Sequence, residues 1–302
     1  MSTHPLIACN EYPWRTFLQR EGRDLQAELP TVLEQIAAIG FAGYEPLARD
    51  ADHLAALVTQ ATRAGLSLPS VYVGSLLHDP ALVDANIAAI TAIAQVAAQH
   101  GTRILVTNPS PIAWDTPRDK SDAELATQAA ALDRLGAALR DLGVTLAYHN
   151  HDMELRHAAR EFHHMLCATD PAHVALCLDA HWIYRGAGNS QVALFDVVKL
   201  YGNRIVELHL RQSQNGAWTE AFGPGDIDYT RLLQTLAAQG VAPLLVLEQA
   251  VEPVSPHRLD GHAAHAHGLA YLQTVLAGLP SDARIGLSLR LGAPARVQYN
   301  NR

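Results

Sequence analysis

Ionisable and amide side chains recur in this chain directly after short apolar runs. Asn10-Glu11 follow LIAC, Glu45 follows AGY, and Thr107-Asn108 follow RILV. His149-Asn150-His151 follow VTLAY, with Glu154 shortly after. Asp179-Ala180-His181 follow VALCL, His209 and Arg211 close IVELHLR, and Glu248 follows LLVL. Carboxylate oxygens and imidazole nitrogens are the groups through which proteins hold divalent cations. The same groups carry protons in acid–base catalysis, and a guanidinium pairs with a carboxylate or with substrate oxygens. Each residue alone has an ordinary reading as a loop cap or ion pair. Their repetition at run ends asks for a fold that gathers those ends in one place.

The runs read as strands at Leu6–Asn10, Gly43–Pro46, Leu68–Val73, Arg103–Asn108, Val144–Asn150, Val174–Asp179, Ile205–Leu210 and Leu244–Glu248. Between them, apolar spacing of three and four predicts helices at Thr31–Ile39, Asp52–Ala64, Ala81–His100, Asp122–Leu142, Ala159–Ala168, Gln191–Leu200, Tyr229–Ala238 and Ala263–Ala277. Gly40, Gly65, Gly101, Gly143 and Gly240 stand at helix ends, suited to a left-handed C-terminal cap. Eight strand–helix units in about 280 residues is the count of an α/β protein built as a (β/α)8 TIM barrel. The barrel is expected over residues 1–280, with a short C-terminal extension at 281–302. A doubly wound sheet would carry a Gly-rich phosphate turn after its first strand, and CNEYPWRTF is not one.

In such a barrel the C-terminal strand ends form one rim, where chemistry resides. Side chains alternate faces along a strand. Ala175, Cys177, Asp179 and His181 therefore share a face, as do Thr145, Ala147, His149 and His151, and Ile205, Glu207 and His209. The bulkier apolar residues between them should face the helices, which aims Asp179, His209, His149 and His151 at the barrel axis. Glu248 shares its face with Leu244 and Val246, which leaves its direction open. Trp14, Trp114, Trp182 and Trp218 all fall just past strand ends. They predict an aromatic-lined cleft for the C–H face of a sugar or cyclitol, against the plainer reading that each packs a loop onto the barrel.

Composition narrows the classes further. The chain has 302 residues, is 49% hydrophobic and carries a formal net charge of −8, enough for a large core and unsuited to phosphate-rich partners. We therefore expect no nucleic acid partner. No apolar stretch long enough to span a bilayer occurs, and MSTHPLIACNEYPW lacks the basic and apolar regions of an export signal. The expected setting is the cytoplasm, away from membranes, with Cys9, Cys167 and Cys177 as reduced buried thiols. His262, His265 and His267 read as a solvated face of the last helix, and His163-His164 likewise. GPGDIDY, Gly223 to Tyr229, reads as a turn and helix cap. The arginine-rich tail would cover the barrel or join a homo-oligomer interface.

The order YHNHDME, LCLDAHW, VELHLR, GPGDIDY and LLVLEQ resembles the xylose isomerase-like TIM barrel superfamily over roughly residues 5–278. That group includes sugar isomerases and epimerases, myo-inosose dehydratase and endonuclease IV. The resemblance implies one divalent metal ion held by Glu154, Asp179, His209 and Glu248. In some relatives the first of these glutamates lies within strand five, where this chain has Tyr148-His149. His149 or His151 is then the alternative ligand, with Glu154 behind it. Three carboxylates and one imidazole would form a hard site, favouring Mn²⁺, with Mg²⁺, Co²⁺ and Zn²⁺ as alternatives.

A cation chelated by a carbonyl and its neighbouring hydroxyl acidifies the C–H between them and stabilises the enediolate. Return of the proton to the next carbon is isomerisation, return from the other face is epimerisation, and loss of a β-hydroxyl is dehydration. The ligand set does not separate these outcomes. Glu154, Glu248, His149 and His151 are the candidate acid–base groups. Glu45, Asn108, His181 and Arg211, with Trp14, Trp114, Trp182 and Trp218, are the candidate substrate contacts. Many relatives have Lys-Asp where this chain has Arg211-Gln212, which implies altered substrate recognition. A sugar-binding barrel without catalysis is a third class. Endonuclease IV is disfavoured, because its additional metal-binding histidines are missing at Trp182 and in GDIDYTR.

Overall fold

The computed structural model of the chain describes residues 6–114 and 118–279. In chain order the elements are β1 (Ile7–Asn10), α1 (Glu11–Arg20), α2 (Leu25–Ile39), β2 (Gly43–Glu45), β3 (Leu47–Ala48), α3 (Ala51–Arg63), β4 (Ser70–Ser75), α4 (Val83–Gln99), β5 (Ile104–Pro109), α5 (Asp122–Asp141), β6 (Thr145–His149) and α6 (Arg156–Ala168). There follow β7 (Val174–Asp179), α7 (Ala180–Gly186), α8 (Gln191–Tyr201), β8 (Ile205–Leu210), β9 (Ser213–Gln214), β10 (Ala217–Trp218), α9 (Tyr229–Ala238), β11 (Leu244–Leu247) and α10 (Gly261–Ala277). The expected tail at 281–302 lies outside the described residues.

The main sheet runs β2-β1-β11-β8-β7-β6-β5-β4-β3, every neighbouring pair parallel. β2 and β3 are halves of one barrel strand interrupted at Pro46, which has no N–H to donate. β2 pairs with β1 and β3 with β4, so the barrel comes round on itself through this break. The Pro46 carbonyl still accepts from the Tyr72 amide at 2.9 Å. All eight expected strands are present, in the TIM barrel that their number and spacing predict. No helix among the described residues is long and apolar enough to cross a membrane.

Side-chain caps set several helix starts. Asp24, Asp50, Ser121, Asp228 and Asp260 each accept a backbone N–H at the head of α2, α3, α5, α9 and α10. Asp228 is the cap that GDIDY predicts. The Asp24 cap starts α2 earlier than the apolar spacing indicates, and Pro30 sits inside the helix without ending it. Helices α1 and α7, directly after β1 and β7, were not expected. In α6 the backbone is left-handed from His157 to Ala159, so regular helix begins only after Ala159, the residue at which the periodicity starts it.

Two apolar zones hold the barrel. Leu105, Leu146, Leu176, Leu178, Leu208 and Leu245 pack outward into the core under the helices. Ala8, Leu244 and Val246 close the inside, and Val106, Ala147 and Cys177 form another inner cluster. Leu244 and Val246 thus resolve the direction of Glu248, which is inward. A register shift opposite Leu176/Cys177 turns Ile205 into the outer core and Val206 toward the inside, while Glu207 and His209 keep the inward face.

Two surface expectations are corrected. Cys167 is exposed, although Cys9 and Cys177 are buried as predicted. His265 is buried against Trp14, whereas His262 and His267 are exposed.

Candidate active site

At the C-terminal rim, His149 ends β6, Asp179 ends β7, His209 lies near the end of β8, and Glu248 follows β11. All four are buried, and one ligand atom from each lies within 4.8 Å of the others. Asp179 is held at both ends. Its Oδ1 accepts from the Trp182 amide at 2.8 Å, and Asn150 clamps its backbone by two hydrogen bonds of 3.1 Å. That leaves Oδ2 free, 3.9 Å from His149 Nε2 and 3.8 Å from the Arg211 guanidinium. His209 Nδ1 meets Glu248 Oε2 at 3.0 Å, and its Nε2 meets Glu207 Oε1 at 3.0 Å and Glu45 Oε2 at 3.1 Å. Asn10 and Ser70 donate to the two oxygens of Glu45 and anchor it.

Both ring nitrogens of His149 and Oδ2 of Asp179 are buried without a hydrogen-bond partner. Orphaned buried polar atoms are rare unless something else satisfies them. Two imidazoles and two carboxylates around one point are a donor set that fits a divalent cation. Glu45 and Glu207 would then fix the His209 ring from behind, as carboxylates commonly do for metal-binding histidines.

The electrostatics show how the protein part of the site balances itself. Burial lifts Asp179 to about 7, with Arg211 opposing, and lifts Glu207 to about 8, with Glu45 adding to the rise. Glu248 is also buried, but Arg211 and His209 more than offset this and hold its carboxyl well below the usual range. Burial depresses His209, yet Cys177, Glu45 and Glu248 outweigh it and push the ring well above the usual histidine range. His149 is pushed well down by burial and by His209 and His151, and burial takes His151 to about 4.

Above this group opens a cavity of about 760 Å³. His149, His151, Glu248 and Arg211 reach its wall, together with Trp114, Trp182 and Trp218. The Arg211 guanidinium lies 4.4 Å from the Trp218 ring centroid and 5.1 Å from that of Trp182. One nitrogen bonds Glu248 Oε2 at 2.8 Å, while Nη1 has no partner. Cation–π contact and the ion pair together fix the charge at the cavity wall.

Several residues fall elsewhere than the sequence reading placed them. Glu154, expected among the ligands, is folded back by the short turn Met153–Leu155. Its Oε1 accepts from Asn108 at 3.1 Å and its Oε2 from the His151 amide at 2.6 Å, and the residue grouped with Asp179, His209 and Glu248 is His149. Burial and Glu161 raise its carboxyl to about 7. Trp14 does not face the cleft. Helix α1 turns it into the helix layer, stacked on His265 at 4.5 Å, where its indole N–H bonds Cys9 Sγ. Glu45 and Asn108 lie beneath the cavity wall rather than on it, and His181 is buried beside Trp182 and Trp218. Tyr12, Tyr72, Arg15 and Arg156 line the cavity without having been anticipated. Glu207 carried a usable signal, since it shares the inward face with His209.

The model of the family described as Xylose isomerase-like TIM barrel matches residues 33–275. An inosose dehydratase of Clostridium perfringens (strain ATCC 13124) is 26% identical over 160 residues, covering 46% of this chain and 52% of that protein. The chain thus spans about half the length of the curated relatives it matches. A solved sugar phosphate isomerase/epimerase of Parabacteroides distasonis superposes with a TM-score of 0.70 at 17% identity, covering 90% of this chain and 94% of that one. A Mycobacterium smegmatis barrel solved in complex with magnesium gives a TM-score of 0.69 at 15% identity, covering 95% and 99%. At these identities the solved structures speak for the fold.

Proposed function

Because the chain belongs to the xylose isomerase-like TIM barrel family, we propose that it is a divalent-metal-dependent isomerase or epimerase acting on a keto-sugar or cyclitol through an enediolate. The observation that carries this reading is the convergence of His149, Asp179, His209 and Glu248 at an aromatic-walled cavity. A divalent cation held there would supply Lewis-acid polarisation of a substrate carbonyl.

The chain's own residues then divide the work. Trp114, Trp182 and Trp218 offer ring faces to the C–H side of the substrate. Arg211 presents its unpartnered Nη1 to a substrate oxygen while holding Glu248 ionised. His151 lines the cavity, and burial keeps its ring neutral at pH 7, so it can accept a proton. Glu248, on another barrel strand, is the second proton-transfer candidate. Glu154 contacts the His151 amide and tunes that loop from behind. His149 serves the cation rather than the proton.

Dehydration is the second reading, favoured by the match to inosose dehydratases and by a neutral histidine at the cavity wall. Incubation with a panel of keto-sugars and inososes, plus divalent cations in deuterated water, separates the two. Deuterium entering at the carbon beside the carbonyl, without water loss, supports isomerase or epimerase action. Water loss supports the dehydratase. Sugar binding by the metal-loaded protein with no exchange of that proton would leave a non-catalytic sugar-binding barrel.

A further inference from the structure

We propose that His149, at the end of β6, makes this a centre of two imidazoles and two carboxylates, selective for borderline cations of the Zn²⁺ and Co²⁺ class over Mg²⁺ and Mn²⁺. The inference rests on the metal-dependent reading above and names its cation class. It departs from the oxygen-rich site, and the Mn²⁺, that the sequence led us to expect.

Three observations carry it. First, His149 is placed to ligate and has nothing else to do: it is buried, its ring nitrogens have no partners, and Nε2 lies 3.9 Å from the free oxygen of Asp179. Its ring is wedged among Tyr72, His151 and His209, with centroids 5.5, 4.9 and 4.8 Å away. Second, Glu154 stands outside the four residues whose ligand atoms lie within 4.8 Å of one another, its two oxygens turned to Asn108 and to the His151 amide. Third, the charge is low. Asp179 and Glu248 contribute two negative charges, and the buried Arg211 guanidinium, 2.8 Å from Glu248 and 3.8 Å from Asp179, offsets one of them. Hard cations depend on anionic oxygen ligands and their charge, whereas borderline cations gain from imidazole nitrogen. A histidine rather than a third carboxylate beside a fixed arginine therefore disfavours Mg²⁺ and Mn²⁺ selectively.

Almost any nitrogen–oxygen site ranks Zn²⁺ above Mn²⁺, so the test is the change on substitution. The chelator-stripped full-length protein is titrated separately with Mg²⁺, Mn²⁺, Co²⁺ and Zn²⁺, followed by tryptophan fluorescence. His149→Glu and His149→Gln are titrated alongside, with circular dichroism confirming the fold. We expect His149→Glu to strengthen Mg²⁺ and Mn²⁺ binding by about tenfold or more and to narrow their gap to Zn²⁺. His149→Gln, which removes the nitrogen donor without adding charge, should lose Zn²⁺ and Co²⁺ affinity and gain none for Mg²⁺. In the Co²⁺-loaded wild type, paramagnetically shifted proton NMR should show two exchangeable imidazole N–H signals, and one in His149→Gln. A single signal in the wild type, or unchanged Zn²⁺ and Co²⁺ affinity in a folded His149→Gln, overturns the inference. If proton exchange on the sugar still requires a cation in that case, the functional reading stands without it. A wild type that binds none of the four cations removes both.

Discussion

Lowering the pH from 7 to 5 should destabilise this protein in part through a histidine remote from the metal-binding group. His265 is 1% exposed in α10, stacked on Trp14 at an interplanar angle of 16° and bordered by Phe17 and Phe41. Its Nδ1 meets the Gly261 carbonyl at 2.6 Å, and its Nε2 is buried without a partner. Burial pulls its pKa from 6.5 down to about 4; the Gly261 carbonyl opposes the shift and His262 adds to it. The folded value lies below the unfolded one, so between them the unfolded chain binds the extra proton. The contribution is complete above pH 6.5 and is lost as pH falls toward 4. This interval corresponds to about 3 kcal/mol, of which about 2 kcal/mol is gone by pH 5. Urea unfolding of wild type and His265→Leu at both pH values isolates the effect, because the other titrating groups are common to both. The wild type should lose about 2 kcal/mol more than the variant between the two conditions. Equal losses would refute the reasoning.

Glu45→Gln removes a carboxylate behind His209 and should weaken cation affinity by about 10–100-fold, read by direct titration. Trp114→Ala should leave thermal stability within about 0.5 kcal/mol, since Trp114 is 61% exposed, yet raise KM by about tenfold through loss of a cavity wall. Gly136→Ala should destabilise by about 1–3 kcal/mol in thermal unfolding, because the added Cβ would collide with the His173 carbonyl.

The strands and most helices were legible because their signals are local. Alternation in VALCLD and VTLAYH marks inward and outward faces, and Asp228 or Ser121 marks a helix start whatever surrounds it. The strand-end positions of Asp179, His209 and Glu248 followed from element order alone. Trp14 shows where that reasoning stops. Its position just past β1 is the same as that of a cleft residue, but α1 begins at once and rotates it into the helix layer, leaving Tyr12 and Arg15 at the cavity. His265 has the same alanine and glycine surroundings in sequence as His262 and His267, and only packing against Trp14 distinguishes it.

The sequence by itself determined the barrel and the rim, since chain order and side-chain period confine the candidate residues to one end. Tertiary structure decided which of them share a point. Glu154 and His149 are nearly interchangeable as ligand candidates on spacing. Asn108 and the His151 amide bind the glutamate, while the histidine is left with two free nitrogens beside Asp179. That choice depends on hydrogen bonds between β5 and the loop after β6, and a one-dimensional pattern holds no record of which buried donor reaches a carboxylate first.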